Sequence, residues 1–326
     1  MMRYVIGLLT ICVFVVGIGL LGLRLAAMLR EIAILPDRIP EAGRMVETGL
    51  GRIYIEESGP EAGPVVLLVH GSVGWSRLWG PTQAALAAEG YRAIAFDMPP
   101  MGWSFRDPKA DYSRQTQARR LLALVSALEV KPVVVAHSFG AGAAAEAAML
   151  DPVAFAGLVV VSGAIGLDGR EGGDLPWPLG NPFMRELAVS ASVTNPYALA
   201  PLLRLFLHRK DAATPEVVAM LLEPSRRPGT TAAIADWLPS LLVPSVGALS
   251  TQPPAWEALT LPVAFLWGDR DTTTPLAQGE RLASLAAAPL SILDEVGHIP
   301  QIEAPEAFHT ALIAVLAALT NPPNTP

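Results

Sequence analysis

The apolar positions follow three different patterns along the chain. From Val5 to Leu23 there are 19 consecutive uncharged residues, broken only by Thr10 and Cys12 among polar or sulfur side chains. Further on, Arg52-Ile53-Tyr54-Ile55-Glu56 alternates between polar and apolar positions, the period of a half-buried strand. Val65–Val69 and Ala93–Phe96 are instead nearly all apolar, as strands buried on both faces of a parallel sheet should be. Similar runs recur at Val133–Val135, Leu158–Val161, Val263–Trp267 and, more weakly, Leu290–Leu293. Between them lie helix-like stretches at Pro81–Glu89, Gln115–Glu129, Phe139–Leu150, Leu276–Ala287 and Pro305–Leu319. This alternation predicts an α/β fold, with a mostly parallel central sheet flanked by helices on both faces.

One segment interrupts the alternation. From residue 167 to residue 256 no strand pattern occurs, and helix-length stretches are punctuated by Pro196, Pro201, Pro215, Pro224 and Pro239. That is too long for an ordinary loop. It reads as a helical cap over the carboxyl ends of the strands, where open α/β sheets bind ligands. The expected division is an N-terminal anchor at 1–30, a core at 46–166 and 257–320, and the cap at 167–256. A linker at 31–45 carries Pro36, Pro40 and Gly43, and the Pro-rich tail 321–326 is expected to be disordered.

The first apolar run reads as a transmembrane helix. At about 1.5 Å per residue it just crosses a hydrocarbon core of about 30 Å. A cleaved secretory signal would have a shorter core, about 7–15 residues, ending at a small-residue site. Arg24-Leu25-Ala26-Ala27-Met28-Leu29-Arg30 matches such a site poorly. The mean hydropathy of +0.41 and 52% hydrophobic residues are high for a water-soluble enzyme, in keeping with an uncleaved anchor. Arg3 precedes the span and Arg24 and Arg30 follow it, so charge leaves both the cytoplasmic and the periplasmic or extracellular face open to the domain. Cys12 is the only cysteine, which excludes an intrachain disulfide. Ile11 stands before it where bacterial lipid attachment wants a small residue. The net charge of −7, with no cluster of Lys or Arg, argues against a nucleic-acid partner. Nothing in the composition fixes an oligomeric state.

Candidate chemistry begins at Ser138. In Val133-Val134-Val135-Ala136-His137-Ser138-Phe139-Gly140-Ala141-Gly142 a β-branched run meets a serine flanked by small residues, and an Ala- and Gly-rich helical stretch follows. That is the pattern of a strand-to-helix elbow holding a serine hydroxyl in a strained, exposed turn. A serine hydroxyl needs an adjacent base, and the base needs a carboxylate to fix its tautomer. Downstream, Trp267-Gly268-Asp269-Arg270-Asp271-Thr272-Thr273-Thr274-Pro275 follows one apolar strand and Glu295-Val296-Gly297-His298 the next. Serine, acid and histidine thus occur in the order this architecture uses, each after a predicted strand.

On these residues the sequence resembles the α/β-hydrolase family in its capped form, over roughly Val46 to Leu319. The resemblance implies an α/β-hydrolase fold and assigns the roles. The family's Gly-x-x-Asp-x-x-x-Pro pattern is reproduced by Gly268, Asp271 and Pro275, making Asp271 the acid and Asp269 the runner-up. His298 follows Gly297 as the family base does, with His208 and His309 as alternatives. The oxyanion donors should be backbone amides: that of Phe139, directly after the nucleophile, and, by the resemblance of His70-Gly71 to the family's His-Gly pair, that of Ser72. His70 reads as orienting that turn. Ala136 stands where the family's Gly-x-Ser-x-Gly has its first glycine. Pro100 replaces a glycine in Asp97-Met98-Pro99-Pro100-Met101-Gly102-Trp103-Ser104. Trp75, Trp79 and Trp103 fall near mouth-forming loops. Trp75 and Trp103 are candidate substrate contacts, the alternative being that they pack the cap on the sheet.

Capped relatives that open epoxides or displace halide generally use an aspartate at the elbow, so Ser138 points to an acyl-enzyme route instead. The expectation is a membrane-anchored serine hydrolase of carboxylic esters with apolar acyl or alcohol groups, needing no metal or organic cofactor. The same triad would serve a carbon–carbon bond hydrolase, a lactonase, a perhydrolase or an acyltransferase. A non-catalytic binding member of the fold is the remaining alternative.

Overall fold

The computed structural model describes residues 2–32, 39–167, 173–243, 245 and 247–320. The tail expected at 321–326 and residues 33–38 of the expected linker lie outside them. Helix α1 (Met2–Glu31) contains the long apolar run. Strands β1 (Gly43–Thr48), β2 (Gly51–Ser58) and β3 (Val65–Val69) follow, then α2 (Gly80–Ala88), β4 (Arg92–Phe96) and α3 (Arg114–Leu128). Next come β5 (Val133–His137), α4 (Ser138–Leu150) and β6 (Gly157–Val161). The insertion carries α5 (Pro182–Ala191), α6 (Leu199–Phe206), α7 (Pro215–Leu222), α8 (Thr230–Leu242) and α9 (Pro253–Glu257), and no strand among its described residues. The chain closes with β7 (Val263–Gly268), α10 (Leu276–Leu285), β8 (Leu290–Leu293), α11 (Pro300–Glu303) and α12 (Pro305–Thr320).

The eight strands form one sheet in the order β1-β2-β4-β3-β5-β6-β7-β8. Pairings from β3 onward are parallel, whereas β1 and β2 add an antiparallel edge. The apolar runs have the cause expected of them, because alternate residues enter different cores. Leu67, Val69, Val134, Leu158, Val160 and Phe265 share one core with α3, α4 and α10. Val66, Leu68, Val133, Val135, Val159 and Leu266 face the other way, onto Leu86 of α2 and Phe308, Leu312 and Leu316 of α12. The β1 strand was not anticipated. It lies partly in the expected linker, and of its six residues only Val46 is buried.

Cap and core are bonded to each other at several points. The Trp75 Nε1–H donates to the Met220 carbonyl at 2.9 Å, and Arg227 Nη1 donates to the carbonyls of Gly102 and Ser104 at 3.0 and 2.8 Å. Arg106 reaches the Thr230 hydroxyl at 2.6 Å.

The expected boundary after residue 30 falls inside a packed segment rather than at a hinge. Ala27 and Glu31 are buried, and Leu20, Leu23, Arg24 and Arg30 are half-buried, a stripe at helical spacing turned toward the cap. Arg24 pairs with Glu186 of α5 at 2.6 Å, and Arg30 donates to the Thr194 carbonyl at 2.9 Å. The Glu31 carboxylate accepts from the Gly229 and Thr231 amides at 3.0 and 2.8 Å. These amides open α8, whose N-cap, Gly229, has no side chain to satisfy them. A carboxylate there also meets the positive end of the helix dipole. Glu31→Ala should therefore lower the free energy of unfolding by about 1–2 kcal/mol, read by denaturant titration of the full chain in detergent.

Candidate active site

Strand β5 ends at His137, and the chain turns straight into α4 through Ser138, whose φ is +51°. A non-glycine residue in that region is strained by about 1–3 kcal/mol, and such strain survives only where the surroundings hold it. Here the surroundings are close. A Cβ on Gly140 would run into the His70 carbonyl, so the residue after Phe139 cannot be larger. A Cβ on Gly71 would lie 2.8 Å from His137 Nδ1 and 3.0 Å from Ser138 Cβ, so that turn presses against the elbow. Ala136, in place of the family glycine, fits with its side chain fully buried.

The structure brings Ser138, His298 and Asp271 together. Ser138 Oγ lies 2.8 Å from His298 Nε2, and His298 Nδ1 lies 2.8 Å from Asp271 Oδ2. An ionised carboxylate only accepts, so Nδ1 carries the ring proton and Nε2 is left to accept from the serine hydroxyl. Asp271 is held in turn by its own turn: Oδ1 accepts from the Thr273 and Thr274 amides at 2.8 and 2.9 Å. Burial alone would raise the Asp271 pKa. The hydrogen bond and charge of His298, with the Thr274 bonds, outweigh that and hold it below the ordinary carboxylate value. All three residues follow carboxyl ends of strands, β5, β7 and β8, and none is more than 6% exposed.

The alternatives point elsewhere. Asp269 accepts from the Val296 amide at 3.3 Å and pairs with Arg270 at 3.3 Å. His208 is exposed and pairs with Glu295 at 3.1 Å, while His309 meets the Thr82 hydroxyl at 3.1 Å. His70 has the orienting position: Nδ1 donates to the Gly71 carbonyl at 2.8 Å and Nε2 accepts from the Met98 amide at 2.9 Å. Burial pushes its pKa down to about 4, which keeps it neutral. Phe139 is the second residue of α4, so its amide has no acceptor within the helix. Ser72 lies in the turn that abuts the elbow, with its own side chain exposed.

Trp75 and Trp103 take the packing alternative. Their rings lie 4.8 Å apart in a buried cluster with Tyr54, against Met220 of the cap. Neither lines the cleft of about 720 Å³ whose wall includes Phe139, the neighbour of Ser138, and Thr274, which is bonded to Asp271. Leu241, Leu242, Val243, Ile165 and Pro253 make much of that wall apolar. Among the described residues of the wall the one cation, Arg114, is committed: Nη1 donates to the Ile165 carbonyl at 2.7 Å and the Ser250 hydroxyl at 3.1 Å, Nη2 to the Ala164 carbonyl at 3.3 Å. Above the elbow, Trp237 of α8 meets the Phe139 ring edge-on at 5.1 Å. Among the described residues one acidic group, Asp269, Asp294 and Glu295, is close enough to share a cation; it is solvent-facing and Arg270 already pairs with two of its members.

Two residues escaped the sequence reading. Thr274 Oγ1 lies 2.8 Å from Asp271 Oδ2 and 3.2 Å from His298 Nδ1. Glu303, buried in α11, ties the histidine loop to the cap. Its carboxylate accepts from the Gly297 and Ile299 amides at 3.0 and 3.2 Å, and from the cap amides of His208 and Arg209 at 2.8 and 3.0 Å. For Glu303 the only signal in the sequence was a glutamate five residues after the histidine. Glu303→Gln would turn an amide donor toward these N–H groups. It should cost about 1–3 kcal/mol of stability, seen as a lower denaturation midpoint, and lower kcat by about tenfold or more through displacement of His298.

A family model described as the alpha/beta hydrolase family matches residues 66–311. The chain is 28% identical over 273 residues to 2-hydroxymuconate semialdehyde hydrolase of Pseudomonas sp. (strain CF600), covering 82% of this chain and 91% of that protein. The crystal structure of a meta-cleavage product hydrolase (CumD) superposes with a TM-score of 0.70 at 22% identity, over 85% of this chain and 98% of its own. That of a membrane phospholipase A, described as a bacterial virulence factor, superposes with a TM-score of 0.68 at 22% identity, over 98% of this chain and 100% of its own. A match of that extent takes in α1 as well as the domain. At these identities both structures speak to fold alone.

Proposed function

The chain belongs to the alpha/beta hydrolase family, and we propose that it is a serine hydrolase that α1 anchors in a membrane and that cleaves carboxylic esters bearing an apolar acyl or alcohol group. The observation that carries this reading is the continuous relay from Ser138 through His298 to Asp271, at 2.8 Å in each link, beneath an apolar lid. In the first half-reaction Ser138 Oγ attacks the ester carbonyl while its proton passes to His298 Nε2. The amides of Phe139 and Ser72 hold the oxyanion. Collapse expels the alcohol, which takes the proton from His298 and leaves an acyl-serine. Water then attacks the acyl group, giving its proton to His298, and the acid departs as Ser138 regains a proton. Asp271 keeps the imidazole in its working tautomer and stabilises its charged form. The α1 helix is long and apolar enough to cross a membrane, though an N-terminal signal sequence passes the same test.

A second reading, carbon–carbon bond hydrolysis on the same triad, is favoured by the sequence similarity to 2-hydroxymuconate semialdehyde hydrolase. Its named substrate is a carboxylate. Among the described residues lining the cleft beside Phe139 the one cation, Arg114, is already bonded to two carbonyls and a hydroxyl, which supports the neutral ester. Full-length protein in detergent should hydrolyse p-nitrophenyl esters with kcat/KM rising by about tenfold or more from acetate to decanoate. Faster turnover of 2-hydroxymuconate semialdehyde than of any ester would replace the first reading by the second.

A further inference from the structure

The packing of α1 on the cap fixes which surface of the enzyme meets the bilayer. Arg24 is bonded to Glu186 and Arg30 to Thr194, so α1 and α5 run side by side in the same direction. The start of α5 therefore lies level with α1 residues before Arg24, inside the apolar run. The half-buried Leu20 and Leu23 agree, since neighbouring Ile18 and Leu21 are more than half exposed. Yet the run has no length to spare: 19 residues reach about 28 Å, against a hydrocarbon core of about 30 Å. If Val5–Leu23 crosses the membrane, the cap end beside Leu20 and Leu23 has to sit within the membrane's interfacial layer.

The side chains at that end suit such a place. Trp177 is 94% exposed, and it lines a shallow pocket with Leu175, Pro178 and Met184, two residues before Glu186. Phe183, on the first turn of α5, is 47% exposed. Tryptophan is enriched at membrane interfaces because its ring is apolar and its N–H polar. We propose that the cap surface around Leu175, Trp177, Phe183 and Met184 is a second membrane-contact site, seated in the lipid interface beside α1, so that the cap rather than the opposite face of the sheet lies on the bilayer. This rests on α1 being inserted in a membrane.

Tryptophan emission tests it, because α1 has no tryptophan and Trp75, Trp79, Trp103, Trp237, Trp256 and Trp267 are buried. Full-length protein is reconstituted into phosphatidylcholine vesicles with and without bromine on shallow acyl positions. Brominated lipid should quench the wild type, and Trp177→Ala, an exposed site, should lose most of that quenching. No quenching in the wild type, as when a second protein covers Trp177, or equal quenching in the variant overturns the contact site. An alkaline carbonate wash of the same vesicles separates the premises. Protein retained but unquenched refutes only the cap surface, whereas protein stripped from the vesicles refutes the insertion of α1 and the cap surface with it.

Discussion

Ser138→Ala should lower kcat on a p-nitrophenyl ester by about 10⁶-fold, to the level that binding and oxyanion donors alone sustain. The substitution removes the attacking oxygen and leaves the rest of the relay in place. His298 keeps its Asp271 partner at 2.8 Å, and its main chain stays bonded to the Phe206 carbonyl of the cap at 3.0 Å. Alanine occupies the φ of +51° at a strain similar to that of serine, and its smaller side chain clashes with nothing serine cleared. Stability should therefore move little, which a denaturant titration in parallel checks. A fluorophosphonate probe gives the complementary reading, since it should add covalently to the wild type and not to the variant. Retained turnover, or labelling at another residue, would take the nucleophile away from Ser138. A wild type that neither turns over esters nor accepts the probe would favour a binding protein built on this fold.

The strands were legible because burial on both faces leaves a continuous apolar run, and Val65–Val69 and Leu290–Leu293 match the observed strands end to end. The meeting of Ser138, His298 and Asp271 was legible because the chemistry expected of them demands three residue types in a fixed order after strands. What escaped depends on pairings with no local signature. The β1 strand is an edge strand with Arg44 and Glu47 exposed, so its alternation is faint. Glu31 looked like the first residue of a linker because its partners lie 198 and 200 residues away, at the start of α8. Trp75 and Trp103 were ambiguous for a physical reason: large rings suit a ligand wall and a domain contact equally, and their packing with Tyr54 against Met220 has no local signature.

Asp271→Asn should cost about 10⁴-fold in kcat, by changing where one proton sits. Asparagine can keep an oxygen toward the Thr273 and Thr274 amides, as Asp271 Oδ1 has now. Its NH₂ then faces His298 Nδ1, and two donors cannot share that bond. The ring responds by carrying its proton on Nε2, toward Ser138 Oγ 2.8 Å away, where it can no longer accept the serine proton. Asp269→Asn should change kcat only a few-fold, as Asp269 serves the Val296 amide and Arg270. A large loss at residue 269 and a small one at 271 would reverse the assignment. Acid stability supplies a second readout with a definite sign. The folded state holds the Asp271 carboxyl below its ordinary value of 3.8, so its ionised form contributes stability that is complete above that value. That contribution is lost as pH falls from there through the depressed folded value. Asparagine does not ionise, so unfolding free energy measured below about pH 4 should fall less steeply in Asp271→Asn than in the wild type.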